Sequence, residues 1–201
     1  MTCGQEEMAV TAVVPVPTRR MPRAERREQI LAAATRAFAG GGFANTGLDV
    51  VAAEAGVTPA ILYRHFASKA DLYREVLDSA YAQLREATGA DHFDDASIPA
   101  VVRAGAANPD AFRLLFRHAS REPEFRDVID SLQSGWTEIT NRHLTAITDD
   151  RWRSWAARLL PTVTTDAVIA WLDAGQPDPD HAATRIRHIV DAVVQAAHPT
   201  D

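Results

Sequence analysis

A chain of 201 residues, 46% of them hydrophobic, has room for one domain of about 50 residues and a larger one beside it. Glycine is scarce, alanine abundant and strand-like alternation nearly absent, so the expected fold class is all-α. The lone Cys3 excludes an intramolecular disulfide and a cysteine-based zinc site, the apolar runs are too short to span a bilayer, and AVTAVV follows Glu6 and Glu7 instead of a basic stretch; the expectation is a cytoplasmic chain with no signal peptide and no membrane partner.

Residues 1–22 contain prolines, lack helical periodicity and are expected to be disordered. Arg19, Arg20 and Arg23 near their end read either as a basic arm for the minor groove or as a solvated tail. A first helix is predicted from about Ala24 to Ala39, with Ile30, Ala34, Ala37 and Phe38 on one face and Gly40-Gly41-Gly42 ending it. Three helix starts then follow in close succession. Thr46 with Asp49, Thr58 with Pro59 behind it, and Ser68 with Asp71 each place a hydroxyl where a helix needs an N-cap. Between the first two, Ala55-Gly56-Val57 reads as a helix end, a glycine able to turn left-handed, and an apolar plug. Two short helices joined by a glycine turn make a helix-turn-helix, whose second helix enters the DNA major groove.

The residues on that second helix suit the task. Thr58, Pro59 and Ala60 form its first turn, which reaches base edges in such motifs. Tyr63, Arg64, His65 and Lys69 follow and are able to donate to phosphate oxygens, while the helix N-termini at Thr46, Thr58 and Ser68 add amide donors. Leu62 and Phe66 are assigned to the core. The net charge of −6 argues against a nucleic-acid partner, but its distribution reverses that: residues 19–69 carry eight cationic and four anionic side chains, and the excess acid lies elsewhere.

Residues 26–77 resemble the N-terminal domain of the TetR family, the tetracycline-repressor-like bacterial regulators. The resemblance rests on the amphipathic RREQILAAATRAFAGGGF, then Thr46, then VVAAEAGVTPAILYRHFASKADLYREVL. Within it, Ala55-Gly56-Val57 precedes Leu62-Tyr63-x-His65-Phe66-x-Ser68-Lys69-x-x-Leu72. It implies that Thr46, Tyr63, His65 and Lys69 touch phosphates, that Thr58, Pro59 and Ala60 face bases, and that the protein is a homodimer. Gly47 departs from the family's commoner Thr or Ser, so a phosphate contact from that side chain is absent. Beyond about residue 85 the resemblance is architectural only.

The helix-turn-helix domain is therefore placed at 23–68 and a connecting helix at 69–88, carrying Leu72, Val76, Leu77 and Leu84 and about 30 Å long. A ligand-binding and dimerisation domain is placed at 89–201. Its opening Gly89–Ser97 is acidic; Asp91, His92, Asp94 and Asp95 invite a metal, but no glycine-spaced calcium loop is present and a solvated linker is expected. Helices are predicted at about 98–107, 109–119, 123–147, 150–174 and 179–197, with Asn108-Pro109 and Glu122-Pro123 as junctions. Stripes of bulky residues serve as core or as cavity wall. The candidate pocket is Phe112, Phe116, Phe125, Ile129, Trp136, Ile139, His143 and Trp155. His118 and Glu122, four apart, read as a surface pair in preference to a chelate. Pro161 either kinks its helix or restarts it at Thr162. Val168, Trp171, Leu172, Ile186, Ile189, Val190 and Val193 form apolar faces read as the dimer interface, with intramolecular core as the competing reading.

The expected function is a ligand-responsive DNA-binding transcriptional regulator: a homodimeric repressor released from a palindromic double-stranded operator by a small, largely apolar molecule. The alternative is a helical ligand-binding or interaction protein that has lost specific DNA binding. The chain lacks a glycine-rich phosphate loop and a nucleophile elbow, so neither catalysis nor a cofactor or metal is expected.

Overall fold

Gly42 decides where the first helix turns aside. In the computed structural model, which describes residues 21–89, 94 and 96–198, α1 (Arg23–Asn45) buries Ile30, Ala34 and Phe38 as the spacing predicts. At Gly42 the backbone leaves helical geometry (φ 72°, ψ 177°), a region essentially open to glycine alone, and one further turn follows to Asn45. Residues 1–20 of the predicted extension, with Arg19 and Arg20, lie outside the described residues, as do Asp91, His92 and Asp95 of the linker.

Helix α2 (Leu48–Glu54) starts one residue later than predicted. Gly47 takes the N-cap position, because Thr46 is drawn elsewhere: its buried hydroxyl donates to the Ala37 carbonyl at 3.3 Å. Carbonyls at a helix end lack intrahelical donors, and this one outcompetes a cap for the same hydroxyl. The end of α2 follows the prediction. Val57 N–H donates to Ala52 O at 2.9 Å, Gly56 N–H donates to Ala53 O at 3.1 Å, and Gly56 has φ 63°. Helix α3 (Pro59–Tyr63) is five residues long, and Thr58 at its N-cap makes no side-chain cap bond. Ser68 does cap α4 (Lys69–Thr88), accepting from Asp71 N–H at 3.0 Å.

The body begins with α5 (Ser97–Ala107) and α6 (Pro109–Arg113), the latter capped by Asn108 accepting from Ala111 N–H at 3.2 Å. The regular helix predicted to 119 gives way to a π turn (Leu114–His118) and two 3₁₀ turns, Ala119–Arg121 and Pro123–Phe125. Pro123 holds Glu122 in an extended conformation (φ −99°, ψ 107°), which delays α7 to Arg126–His143. Helix α7 also stops short of 147, since Leu144 and Ile147 turn inward onto Ala156, Ala157 and Leu160 as a second small core. Helix α8 (Asp150–Asp173) runs unbroken through Pro161. Proline supplies no amide to the Ala157 carbonyl, but the helix survives with Thr164 Oγ1 donating to Leu160 O at 2.8 Å and Thr165 Oγ1 at 3.0 Å from Pro161 O. A left-handed Gly175 ends it, and α9 (Pro179–Ala196) packs back against α8 and α5.

This packing corrects the interface read from sequence. Val168, Leu172, Ile186 and Val190 are buried inside their own chain, because α8 and α9 turn those faces toward the body. Of the seven residues, Trp171 and Val193 are half-buried and only Ile189 is well exposed. The main core is continuous from α1 to α9 and joins the N-terminal helices to the body.

Two glycine substitutions test this packing with opposite signs. A Cβ on Gly105 would lie 2.7 Å from Cγ1 of the fully buried Val168, whereas one on Gly40 meets nothing within 4 Å on an exposed helical surface. Chemical denaturation should show Gly105→Ala destabilised by about 1–3 kcal/mol from overpacking. Gly40→Ala should be stabilised by roughly 0.5–1 kcal/mol from helix propensity.

Candidate nucleic-acid interface and ligand cavity

Helix α3 is too short to hold itself, and its two faces have different work. Leu62 is fully buried, with Phe66 just beyond the helix nearly so, which anchors it against α1 and α4. Thr58, Pro59, Ala60, Tyr63 and Arg64 face solvent together, with Tyr63 59% exposed. The large phenol has not been folded inward despite its apolar ring. This outward set contains the predicted base-facing turn and two of the predicted phosphate donors.

His65 sits half-buried behind that face. Burial lowers its pKa first, and Arg23, Arg27, Arg64 and Arg26 lower it further, so the ring is held neutral. Its Nδ1 is sealed off without a partner, which leaves Nε2 to carry the one N–H able to reach a phosphate. Lys69 lies at the first position of α4 with its ammonium 4.4 Å above the Phe43 ring. A cation at the positive end of a helix dipole is unfavourable by itself, and an anion at that end relieves the conflict. Thr46 departs from the predicted set, because its hydroxyl faces the α1 carbonyls and not solvent. At Gly47 the missing side chain leaves room for the Asp49 carboxylate, whose Oδ1 lies 2.2 Å from where a Cβ would stand.

Sequence reasoning missed Arg26 and Arg27. The run RAERR carried the signal, since a basic cluster at a helix start converges in space with whatever that end packs against. Arg27 stacks 4.9 Å over Phe66 and pairs with Glu75, and Arg36 pairs with Glu54 at 2.7 Å. Arg23, Arg26 and Arg64 have no acidic partner among the described residues, so their charge remains available to an outside anion.

A cavity of about 290 Å³ opens between the far end of α4, α5, α7 and α8, walled by Tyr81, Arg85, Ile98, Trp136, Ile139 and Leu160. A second, of about 220 Å³, lies between the π turn, α7 and α8, walled by Phe116, Ile129, Leu132, Trp136 and Thr165. Of the predicted pocket, Trp136 and Ile139 line the first and Phe116, Ile129 and Trp136 the second, while Phe112 faces a space of about 100 Å³ under α4. Three residues are corrected. Phe125 lies on a 3₁₀ turn ahead of α7 and is fully buried among other aromatics; His143, the last residue of α7, is exposed; Trp155 stands on the outer face of α8 beside Trp152. His118 is not the surface residue expected. Its half-buried ring abuts Gly42 at the end of α1, where a Cβ would meet Nδ1 at 3.3 Å.

No helix among the described residues is long and apolar enough to cross a membrane. Residues 30–76 match the sequence model of bacterial regulatory proteins of the tetR family. The chain is 48% identical over 58 residues to the HTH-type transcriptional activator FasR of Mycolicibacterium smegmatis, a match covering 29% of this chain and 26% of that protein. The aligned segment thus spans about a quarter of the curated relative's length. A TetR-like transcriptional regulator from Rhodococcus sp. RHA1 superposes with a TM-score of 0.71 at 21% identity, over 88% of this chain and 97% of that one. NalD of Pseudomonas aeruginosa, a secondary repressor of the MexAB-OprM multidrug efflux pump, does so with a TM-score of 0.60 at 23% identity, over 85% and 96%.

The lowered pKa values of His65 and His118 set a sign for pH dependence. Both are depressed below 6.5, by burial first, so the unfolded chain takes up these protons before the folded one does. Their neutral packing supports the fold fully above pH 6.5 and loses that support as pH falls below it. Urea midpoints measured on either side of pH 6.5 should drop less for His65→Gln than for the wild type.

Proposed function

We propose that this chain, which carries the TetR-family DNA-binding domain on an all-α body of TetR-like fold, is a homodimeric transcriptional regulator whose operator binding responds to a small, largely apolar effector. The observation that carries the reading is the outward face of α3: Thr58, Pro59, Ala60, Tyr63 and Arg64 are exposed together beside Arg23 and Arg26, which have no acidic partner among the described residues. Such a face positions itself on phosphates through the cations and the phenol, and reads bases with the first turn. Only Thr58 in that turn has a hydrogen-bonding side chain, so readout leans on apolar contact and DNA shape.

One short recognition helix reads few bases. Two related by a two-fold read half-sites about 34–36 Å apart. The exposed Ile189, with the half-buried Val193 one turn on along α9, is the apolar surface offered to a second copy.

The effector acts through α4. That helix begins at Lys69 beside the reader and reaches the 290 Å³ cavity with Tyr81 and Arg85. A molecule wedged between α4 and α7 favours a different α4 tilt from the one that spaces two readers on DNA. A differential affinity of about 1–3 kcal/mol between the two states changes operator affinity roughly 5–150-fold. Repression relieved by the effector is the direction we propose; the similar NalD is named a repressor and FasR an activator. Binding, not catalysis, is the assigned activity. The half-buried His65 and His118 and the buried Tyr73 line neither cavity; the titratable side chains that do are Tyr81, Arg85, Glu138 and Arg142 in the first and Asp166 in the second.

The test is capture of genomic fragments followed by anisotropy at several salt concentrations, beside a Tyr63→Ala/Lys69→Ala double variant. A near-palindromic site should emerge, with a log–log salt slope reduced in the variant by about one to two phosphate contacts per subunit. Equal, weak binding of every fragment by both proteins overturns the DNA reading and leaves a helical ligand-binding protein. Sedimentation should show a dimer that Ile189→Glu dissociates.

A further inference from the structure

The two cavities share a wall. Trp136 lines both the 290 Å³ space under α4 and the 220 Å³ space under the π turn, and so does Pro161 on α8 facing it. Pro161 is fixed by its ring. Trp136 is half-buried, its indole N–H has no hydrogen-bond partner among the described residues, and its closest aromatic neighbour is Phe116 at 5.6 Å between centroids. Trp136 packs on the main core, but with open volume on both sides it makes fewer of the contacts that would hold it in one rotamer.

We propose that Trp136 is a movable partition between two chambers of one effector site, making the protein selective for elongated apolar molecules by length. A short molecule fills the chamber under α4 and leaves the indole in place. A longer one turns the indole aside and enters the second chamber, whose wall includes Leu115 and Phe116 of the π turn. Two residues on, His118 abuts Gly42 at the end of α1. The occupant of the second chamber therefore touches the segment packed on the DNA-binding domain, which the first chamber reaches only through α4. The π turn suits a responsive element, because its hydrogen bonding converts to an α-helical register with a shift of side-chain direction. The inference rests on the effector-cavity reading above, and its test uses no DNA.

A series of n-alkanols of increasing chain length serves as a ruler, with binding measured calorimetrically on the full-length protein and on two variants. In the wild type, each added methylene should tighten binding about fourfold until the chain meets Trp136, where the gain should pause before resuming. Trp136→Ala should remove the pause, so that affinity climbs without a break. Thr162→Phe, at an exposed α8 position lining only the second of these chambers, should leave short alkanols unaffected and abolish the gain from longer ones. Hydrogen exchange of the 114–118 amides should respond to long rulers and not to short ones. Parallel curves for wild type and Trp136→Ala overturn the partition, and an unchanged long-chain gain in Thr162→Phe does so even if the alanine variant fails to fold. Absence of alkanol binding at every length in the wild type overturns it as well, while the regulator reading still stands or falls on the salt titration.

Discussion

The arrangement depends on the burial of Tyr73. Its side chain is fully buried where the DNA-binding domain meets the body, with ring centroids 4.9 Å from Phe38, 5.0 Å from Phe43 and 4.6 Å from Phe125. The hydroxyl has no hydrogen-bond partner among the described residues, and burial, with Glu122 nearby, raises its pKa and keeps it neutral. Leaving that hydroxyl unpaired costs about 1–3 kcal/mol. Three aromatic contacts at roughly 0.5–1.5 kcal/mol each, beyond their area burial, offset it. Because the four rings come from α1, its terminal turn, α4 and the 3₁₀ turn before α7, separating the domains breaks all of these contacts together.

That shared cluster pins the N-terminal part of α4. Around it, Arg74 stacks 5.3 Å over Phe125, pairs with Asp127 at 3.0 Å and thereby ties α4 to the start of α7. Arg113 and Arg117 both pair with Asp173, tying the π turn to the end of α8. Such exposed pairs contribute little stability individually, on the order of 0–1 kcal/mol.

The N-terminal domain was legible residue by residue because its signals are local. The Gly56 turn, the Ser68 cap, the core placement of Leu62 and Phe66, and the exposure of the first turn of α3 follow from backbone sterics and hydrogen bonding within a few residues. Thr46 shows where locality ends. Its cap pattern was sound, but a carbonyl nine residues back in the sequence competed for the hydroxyl. The body was legible as helices and illegible as surfaces. Periodicity marks an apolar face without naming what covers it, so Val168, Leu172, Ile186 and Val190 read as interface although they are buried within their own chain.

By itself, then, the sequence determined the all-α class, the helix-turn-helix and the two faces of its second helix, because 3.6-residue periodicity, caps and glycine turns act over short stretches of chain. Only the tertiary structure decided that His118 belongs to the domain junction, that Phe125 is cluster and not pocket, and that Trp136 divides two cavities. Those outcomes depend on how α1, α4, the π turn and α7 pack across long separations in sequence, and on the π and 3₁₀ turns of 114–125, which interrupt the regular helices that periodicity predicts there.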